Sequence, residues 1–151
     1  MSACHISSGE FQAMLREHDE IEQSVRSFAR MRARDVRGYP QRIHLLRCDL
    51  ERLRNRLQRH FEHEERGGGF FEEILDESPE LGPEVEEFRR EHGELLLVLW
   101  RVMGNLGALG ESRVDQAFVR LHRFVDAYVQ HEDAENRILL DLLNKDAGFP
   151  D

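Results

Sequence analysis

Six polar residues in this sequence occupy positions that the surrounding pattern otherwise fills with apolar side chains. They are four histidines and two glutamates: His18, His60, Glu64, His92, His131 and Glu135. Imidazole nitrogens and carboxylate oxygens bind first-row divalent metals, and the cations provide the countercharge that buried carboxylates need. The residue types therefore predict an internal metal site. The simplest allocation gives each of two ions two histidines, with both glutamates bridging the ions.

The spacing of two residue pairs supports a shared site. His60 precedes Glu64 by the same four-residue interval that separates His131 from Glu135, so each pair lies on one helical face, one turn apart. A single core histidine is more often a hydrogen-bonded structural group, and a single such pair is more often a solvated ion pair. Six polar residues within apolar seams favour metal binding over both alternatives, because two unpartnered buried carboxylates would be costly.

The elements that must position these residues are four helices. Apolar residues recur in steps of three and four over roughly 9–31, 41–66, 84–107 and 112–144, which is typical of helices that face a common core. No segment shows a convincing strand pattern. We therefore predict an all-α fold, an up-down-up-down four-helix bundle that forms a single domain over residues 1–151.

This topology brings the six residues to a common depth. His18 and His92 lie near the starts of the first and third helices, and the two histidine–glutamate pairs lie near the ends of the second and fourth. In an antiparallel bundle the start of one helix adjoins the end of its neighbour. At a rise of about 1.5 Å per residue, all six side chains can reach one layer of the bundle.

Three further residues are candidates for supporting roles at this site. Tyr128, one turn before His131, either lines the pocket and hydrogen-bonds a bridging oxygen or only packs in the core. Glu22, four residues after His18, either orients that imidazole or lies on the flanking surface. His63 flanks the seam and is a candidate for a supporting or alternative ligand, outside the six predicted ligands.

The remaining histidines and both cysteines are predicted to lie away from the site. His44 and His122 fall off the apolar seams, and His5 belongs to the N-terminal tail. Cys4 and Cys48 are far apart and lack the spacing of a thiolate metal site, so we expect two free thiols.

The connections and one aromatic residue complete the structural expectations. Gly67 to Gly69 should end the second helix through a left-handed cap, and residues 70–75 should form a short turn that packs two phenylalanines on the bundle. Ser112 is expected to cap the fourth helix. Trp100 and the apolar run 95–99 that precedes it are expected in the core.

Composition restricts the class of partner. The chain has 151 residues and a net charge of −9, and a negative protein does not attract nucleic acid or an anionic membrane surface. Arginines between positions 26 and 59 alternate with leucines at helical spacing, which indicates a solvated surface. No window approaches the ~18 apolar residues of a membrane span, and residues 1–10 lack a signal-peptide pattern. We expect a cytoplasmic protein that binds neither nucleic acid nor membrane.

The order of the six residues resembles the pattern H…HxxxE…H…HxxxE of the hemerythrin-like (HHE cation-binding) family. The resemblance extends over nearly the whole chain and includes the stretch Glu-Glu-Arg-Gly-Gly-Gly-Phe-Phe at positions 64–71. It implies a non-haem centre of two iron ions, bridged by both glutamates and by an oxo or hydroxo group, with the four histidines as terminal ligands.

The sequence departs from the oxygen-carrying members of that family. Those proteins have a further histidine four residues after the third-helix ligand, where this chain has Leu96, and an HxxxxD motif in the fourth helix, where this chain has HxxxE. With four histidines and no fifth, each iron keeps an exchangeable position. This favours reaction with dioxygen, hydrogen peroxide or NO over reversible oxygen carriage.

Three functions stay open at this point. The first is consumption of a small oxidant, in the manner of a peroxidase, a catalase or an NO-reactive enzyme, with an electron donor that the sequence does not identify. The second is a metal- or redox-responsive sensing module that acts on an unknown protein partner without turnover. The third is a structural site for zinc or manganese. Both a monomer and a homodimer are compatible with the sequence.

Overall fold

The structure of the protein, a computed structural model, describes residues 8–107 and 111–146. Its elements in chain order are α1 (Ser8–Ala29), α2 (Ala33–Val36), α3 (Pro40–Glu65), α4 (Phe70–Glu77), a 3-10 turn (Pro79–Leu81), α5 (Gly82–Gly107) and α6 (Glu111–Asp146). No β-strand occurs within the described ranges, so the all-helical prediction is confirmed. The four long helices are α1, α3, α5 and α6.

Local sequence explains how the central helices begin and end. α3 begins at Pro40. Proline has no N–H group, but N–H groups in the first turn of a helix have no intrahelical acceptor, so no hydrogen bond is lost there. After α3 ends, Gly68 adopts a φ of 76°, the left-handed conformation that glycine tolerates. The sequence did not predict the four-residue helix α2. At the start of this helix, the backbone N–H of Arg32 donates to the Asp35 carboxylate at 2.9 Å.

The long helices pack in a ring. α1 contacts α3 and α6, and α5 also contacts α3 and α6. Short helix α4 packs on α3 and α5, and it buries Phe70 and Phe71 as the sequence led us to expect. No helix among the described residues is both long and apolar enough to cross a membrane.

Buried apolar residues form two clusters along the bundle. The larger cluster includes Ile21, Leu57, Leu95, Leu121 and Phe124. The smaller cluster consists of Phe70, Phe71, Ile74, Val85, Phe88, Leu139 and Leu142. On α5, for example, His92 lies between Phe88 of the smaller cluster and Leu95 of the larger one. The six polar residues therefore form a layer between two apolar regions.

Trp100 corrects one expectation about the core. Leu95 and Leu99 are buried, but Leu97 is 46% exposed and Trp100 is 61% exposed. The next inward positions on α5 are Val102 and Leu106, so the helical period places Trp100 outside the seam. There its ring lies 5.3 Å from the guanidinium carbon of Arg54.

Some expectations concern parts of the chain that the structure does not cover. Cys4 and His5 lie outside the described residues, and so does the side chain of Ser112. Cys48 is a half-buried free cysteine on α3.

Candidate metal centre

The structure brings together all six residues that the sequence singled out. Each is at most 2% exposed, and every long helix contributes at least one: His18 from α1, His60 and Glu64 from α3, His92 from α5, and His131 and Glu135 from α6. The packing of the helix ring therefore assembles this cluster from four separate parts of the chain.

The cluster contains two groups of side chains that could each hold a metal ion. One ligand atom from each of His18, His60, Glu64 and Glu135 lies within 4.8 Å of the others, and the same holds for His92, His131 and Glu135. Glu135 belongs to both groups and therefore lies where a bridging carboxylate would be needed.

In each histidine, Nε2 faces the two central glutamates. Nε2 of His60 lies 3.0 Å from Oε1 of Glu64, and Nε2 of His131 lies 2.7 Å from Oε1 of Glu135. Nε2 of His92 is 3.3 Å from Oε1 of Glu135. In His18, Nε2 is 3.7 Å from both carboxylates. The four nitrogens thus point towards the same small region.

Most of these inward-facing atoms form no hydrogen bond, although Nε2 of His60 and Nε2 of His131 lie within ion-pair distance of a carboxylate oxygen. The buried atoms without a hydrogen bond include Nε2 of His18, His60 and His131, both side-chain oxygens of Glu64, and Oε2 of Glu135. Leaving one buried polar group unsatisfied costs about 1–3 kcal/mol, so a cluster of this size needs a compensating partner. Divalent cations fit these donors, because imidazole nitrogen and carboxylate oxygen are their ordinary ligands.

A second layer of polar groups contacts the outward nitrogens of the histidines. Nδ1 of His131 donates a hydrogen bond to Oε2 of Glu91 at 2.7 Å. Nδ1 of His60 is 3.2 Å from Oε1 of Glu17. Such contacts fix the orientation of an imidazole and leave its other nitrogen directed at the metal.

The outward nitrogens of the other two histidines also face polar groups of neighbouring helices. Nδ1 of His92 is 3.5 Å from Oε2 of Glu65 but forms no hydrogen bond. In His18, Nδ1 donates to Oδ1 of Asn136 at 2.8 Å and lies 2.9 Å from Oε2 of Glu132. Every outer carboxylate comes from a helix other than that of its histidine.

These outer carboxylates were missed in the sequence. Their one common signal is position, because each directly precedes or follows a candidate ligand in the chain: Glu17, Glu65, Glu91 and Glu132. The signal was hidden because each acid serves the histidine of a neighbouring helix, which only the packing reveals.

The three supporting candidates named from the sequence have different surroundings. Tyr128 is buried, and its hydroxyl donates to Oε1 of Glu132 at 2.9 Å. Glu22 instead pairs with Arg26 at 2.8 Å along α1. His63 is exposed on α3. Of the three, the structure brings Tyr128 into the second layer.

Burial and charge act in opposite directions on the pKa values of the cluster. Burial raises the pKa of Glu64, but the imidazoles of His18 and His60 outweigh it and lower that pKa to about 2. Burial lowers the pKa of His60, yet Glu17 and Glu64 raise it to about 10. Burial keeps the pKa of His92 below its ordinary value. The charge of Glu64 is thus stabilised by the histidines around it.

Aromatic rings enclose the α5 and α6 side of the cluster. Phe61 stacks on His92 with 3.8 Å between ring centroids, and Phe71 lies against the same imidazole at 5.3 Å. The edge-on contact of Phe88 with His131 is 5.5 Å. These rings keep water from the imidazole faces and fix their planes.

Two of the histidines that were predicted to lie away from the site, His44 and His122, are found elsewhere in the structure. His44 is exposed, with Nε2 3.7 Å from Sγ of Cys48. Nε2 of His122 donates to the carbonyl oxygen of Met31 at 3.0 Å. Neither residue belongs to a metal-binding group among the described residues.

Comparison with known proteins agrees with this geometry. The family model of the hemerythrin HHE cation-binding domain matches residues 49–143. No curated protein and no solved structure matches the chain. The matched range contains five of the six clustered residues, and the sixth, His18, is added by the packing of α1. The chain therefore belongs to the hemerythrin HHE cation-binding family.

Proposed function

We propose that this protein holds two iron ions and reacts through them with dioxygen, hydrogen peroxide or NO. The observation that carries the proposal is the pair of donor groups that share Glu135, whose inward atoms are buried and largely unpaired. When bound, two adjacent iron ions would provide redox chemistry and exchangeable positions for a small ligand.

The protein's own residues would hold and orient this centre. His18 and His60 would bind one ion, His92 and His131 the other, with Glu135 and Glu64 between them. Glu17, Glu65, Glu91 and Glu132 would orient the imidazoles from outside. Phe61, Phe71 and Phe88 would exclude water from one side of the site.

The order of the helices suits this role. α1 and α5 each run from the smaller apolar cluster through a histidine to the larger cluster, and α6 runs in the reverse order. α3 runs from the larger cluster to the polar layer, and α4, which follows it, belongs to the smaller cluster. This alternation supports an up-down-up-down bundle in which one domain encloses the centre. The proposed setting is the cytoplasm, and the protein would act as a monomer or homodimer without nucleic acid.

A sensing function without turnover is the second candidate. It is favoured by three carboxylates that are completely buried near the centre, Glu64, Glu132 and Glu135. Because such groups depend on their partners, loss or oxidation of the metal would change the stability of the surrounding layer. A partner protein could respond to that change once per site.

Metal content and turnover test the proposal. We expect about two irons per chain in protein purified without chelator, with visible absorption that bleaches on reduction. Addition of peroxide, NO or oxygen with a reductant should then consume oxidant well in excess of the bound iron. Consumption limited to one equivalent per site would favour sensing, and colourless protein with zinc or no metal would exclude both iron functions.

A further inference from the structure

One face of α5 points away from the core and carries two large apolar side chains. Leu97 and Trp100 are exposed, whereas the seam that includes Leu95, Leu99 and Val102 is buried. At about 100° per residue, Leu97 lies opposite that seam, and Trp100 lies one turn further along the same side. Exposed apolar side chains that lie together, rather than singly, mark interaction sites.

Two glycines extend this face in both directions. Gly93, Leu97, Trp100 and Gly104 follow one another in steps of four, three and four residues, the spacing of a seam through which one helix packs on another. We call these four residues the outer face of α5. A glycine inside a helix is about 1 kcal/mol less favourable than alanine. The fold of one chain requires neither glycine, because neither has a positive φ and an added Cβ would meet no atom of the described residues within 4 Å. The two positions therefore leave room for a second molecule.

The charges beside the outer face suit a second copy of the same chain. Glu94 and Arg101 lie on one flank of the face, seven residues and about two turns apart. Two identical helices that pack antiparallel about a twofold axis bring the same flank of each copy together, with the chain directions reversed. Glu94 of each copy would therefore lie beside Arg101 of the other, which gives two pairs of opposite charge. A parallel pair would instead place like charges together.

Both charged groups are available for such contacts. Arg101 is exposed and has no ion-pair partner among the residues that the structure describes. Glu94 is exposed and accepts a hydrogen bond from Arg90 through Oε1. An ion pair between the copies would thus add a partner to Arg101 without breaking an existing one.

The antiparallel arrangement also matches the apolar residues and the glycines. When Leu97 lies opposite Trp100 of the second copy, Gly93 lies opposite Gly104 of that copy, because both pairs have the same midpoint on α5. The midpoint of Glu94 and Arg101 is one residue away, a shift of about 1.5 Å. Helices that meet at glycines can approach closely, so both contacts between leucine and tryptophan can form.

We infer that two copies of this chain associate through the outer faces of α5, packed antiparallel, to form a dimer with twofold symmetry. The dimer goes beyond the proposed function and does not depend on it, because no residue of the outer face is a candidate ligand. Because a single helix face from each chain forms a small contact, we expect the dimer to dissociate on dilution.

Sedimentation velocity over a range of protein concentrations tests the dimer. The parent protein should convert from monomer to dimer as its concentration rises. Arg101→Glu and Glu94→Arg each place like charges together at both ends of the contact, so each should raise the Kd of the dimer by about tenfold or more. An equal mixture of these two variants should again form dimers. In the mixed dimer, Glu94 of the first variant faces Arg101 of the second, and the two introduced side chains face each other with opposite charge.

Two matched leucine variants locate the contact. Leu97→Glu should raise the Kd of the dimer by about tenfold or more, because it places a charge in the apolar part of the contact. Leu45 is also exposed but lies on α3, outside the outer face, so Leu45→Glu should leave the Kd unchanged. The single tryptophan of the chain gives an independent signal. The fluorescence emission of Trp100 should shift to shorter wavelength as the parent protein dimerises, and iron content should be the same in all variants.

Three results would overturn the inference. The first is a parent protein that stays monomeric at every concentration, including one whose outer face binds a different protein. The second is a dimer whose Kd is the same in Leu97→Glu as in the parent protein. The third is a mixture of the two charge variants that stays monomeric although the parent protein dimerises. A protein purified without iron would contradict only the proposed function, because sedimentation reports dimerisation whatever the metal content.

Discussion

Glu132 differs from the other carboxylates that contact the outward nitrogens of the histidines. The side chains of Glu17, Glu65 and Glu91 are 42%, 33% and 27% exposed, whereas that of Glu132 is 1% exposed. Water can therefore solvate three of these groups but not the fourth. Glu132 depends on the hydroxyl of Tyr128 and on Nδ1 of His18 for its polar contacts.

Glu132→Gln should weaken metal binding although Glu132 contacts the outward nitrogen of His18 and is not itself a candidate ligand. The substitution keeps the size of the side chain but removes the acidic group that faces His18, and changes of this kind lower metal affinity by about 10–100-fold. Metal titration with a competing chelator measures the effect. Tyr128→Phe is the comparison: it should keep the metal and lower the free energy of unfolding by about 1–2 kcal/mol. Equal metal affinity in Glu132→Gln and the parent protein would contradict this role.

The two central glutamates should be essential for metal retention. Glu64→Ala and Glu135→Ala each remove a buried carboxylate that faces the imidazoles and would bind the metal, so both iron content and the free energy of unfolding should fall. His44→Ala should change neither quantity. His122→Ala should keep the iron but cost about 1 kcal/mol, because it removes the hydrogen bond to Met31. Equal iron content in all four variants would contradict the assignment of the site.

At the scale of elements, the junction between α3 and α4 controls part of the centre. α3 carries Glu64 close to its end, and α4 carries Phe71, which lies against His92. The chain passes between them through Gly69, where an added Cβ would lie 2.5 Å from the carbonyl oxygen of His63 and 2.8 Å from that of Arg66. Both obstructing atoms belong to the backbone and cannot turn away as a side chain would.

Gly69→Ala should therefore destabilise the protein by about 1–3 kcal/mol, in the range of an overpacked core. Because relief of the clash displaces the end of α3 or the start of α4, iron content should fall as well. Gly67→Ala is a close control, since its Cβ would be 3.7 Å from Oε2 of Glu72, an ordinary contact. Urea unfolding of the two variants gives the comparison, and equal stabilities would show that the junction is not rigid.

The elements differ in how far the sequence could predict them. The long helices follow from apolar residues in steps of three and four, which persist over many turns. α2 spans only Ala33–Val36, too short to show any period. Trp100 was misplaced because the unbroken apolar run 95–100 conceals which of its members face inward. The buried positions before and after the run, such as Phe88 and Val102, fix the phase of α5 and place Trp100 outside the seam.

At the scale of the whole molecule, the candidate ligands were easier to predict than their surroundings. Histidine and glutamate within an apolar seam conflict with the local pattern, and that conflict is visible in one helix at a time. The outer carboxylates show no such conflict. The chain has 30 acidic residues, so a glutamate beside a ligand is unremarkable until the neighbouring helix is placed. Glu91 and His131, for instance, are 40 residues apart in sequence.

The position of the polar layer links metal occupancy to the stability of the whole bundle. The layer separates the larger apolar cluster from the smaller one, and without a cation the unpaired atoms of Glu64 and Glu135 interrupt the core between them. Any ligand that binds only the folded state stabilises it, by about 2.7 kcal/mol at a hundred times its Kd. Removal of the metal with a chelator should therefore lower the midpoint of thermal unfolding, and added iron should restore it.

A variant without the central carboxylates separates this linkage from other effects of the chelator. Glu64→Ala combined with Glu135→Ala should unfold at the same temperature with and without metal, because no site is left to couple binding to folding.

Hydrogen exchange should locate the effect in the parent protein. Amides of α4 and of the α3 end near Glu64 should lose protection on metal removal, while amides around Leu46 and Leu50 at the far end of α3 should change least. Uniform loss of protection along α3 would instead indicate that the bundle unfolds as one unit when the metal leaves.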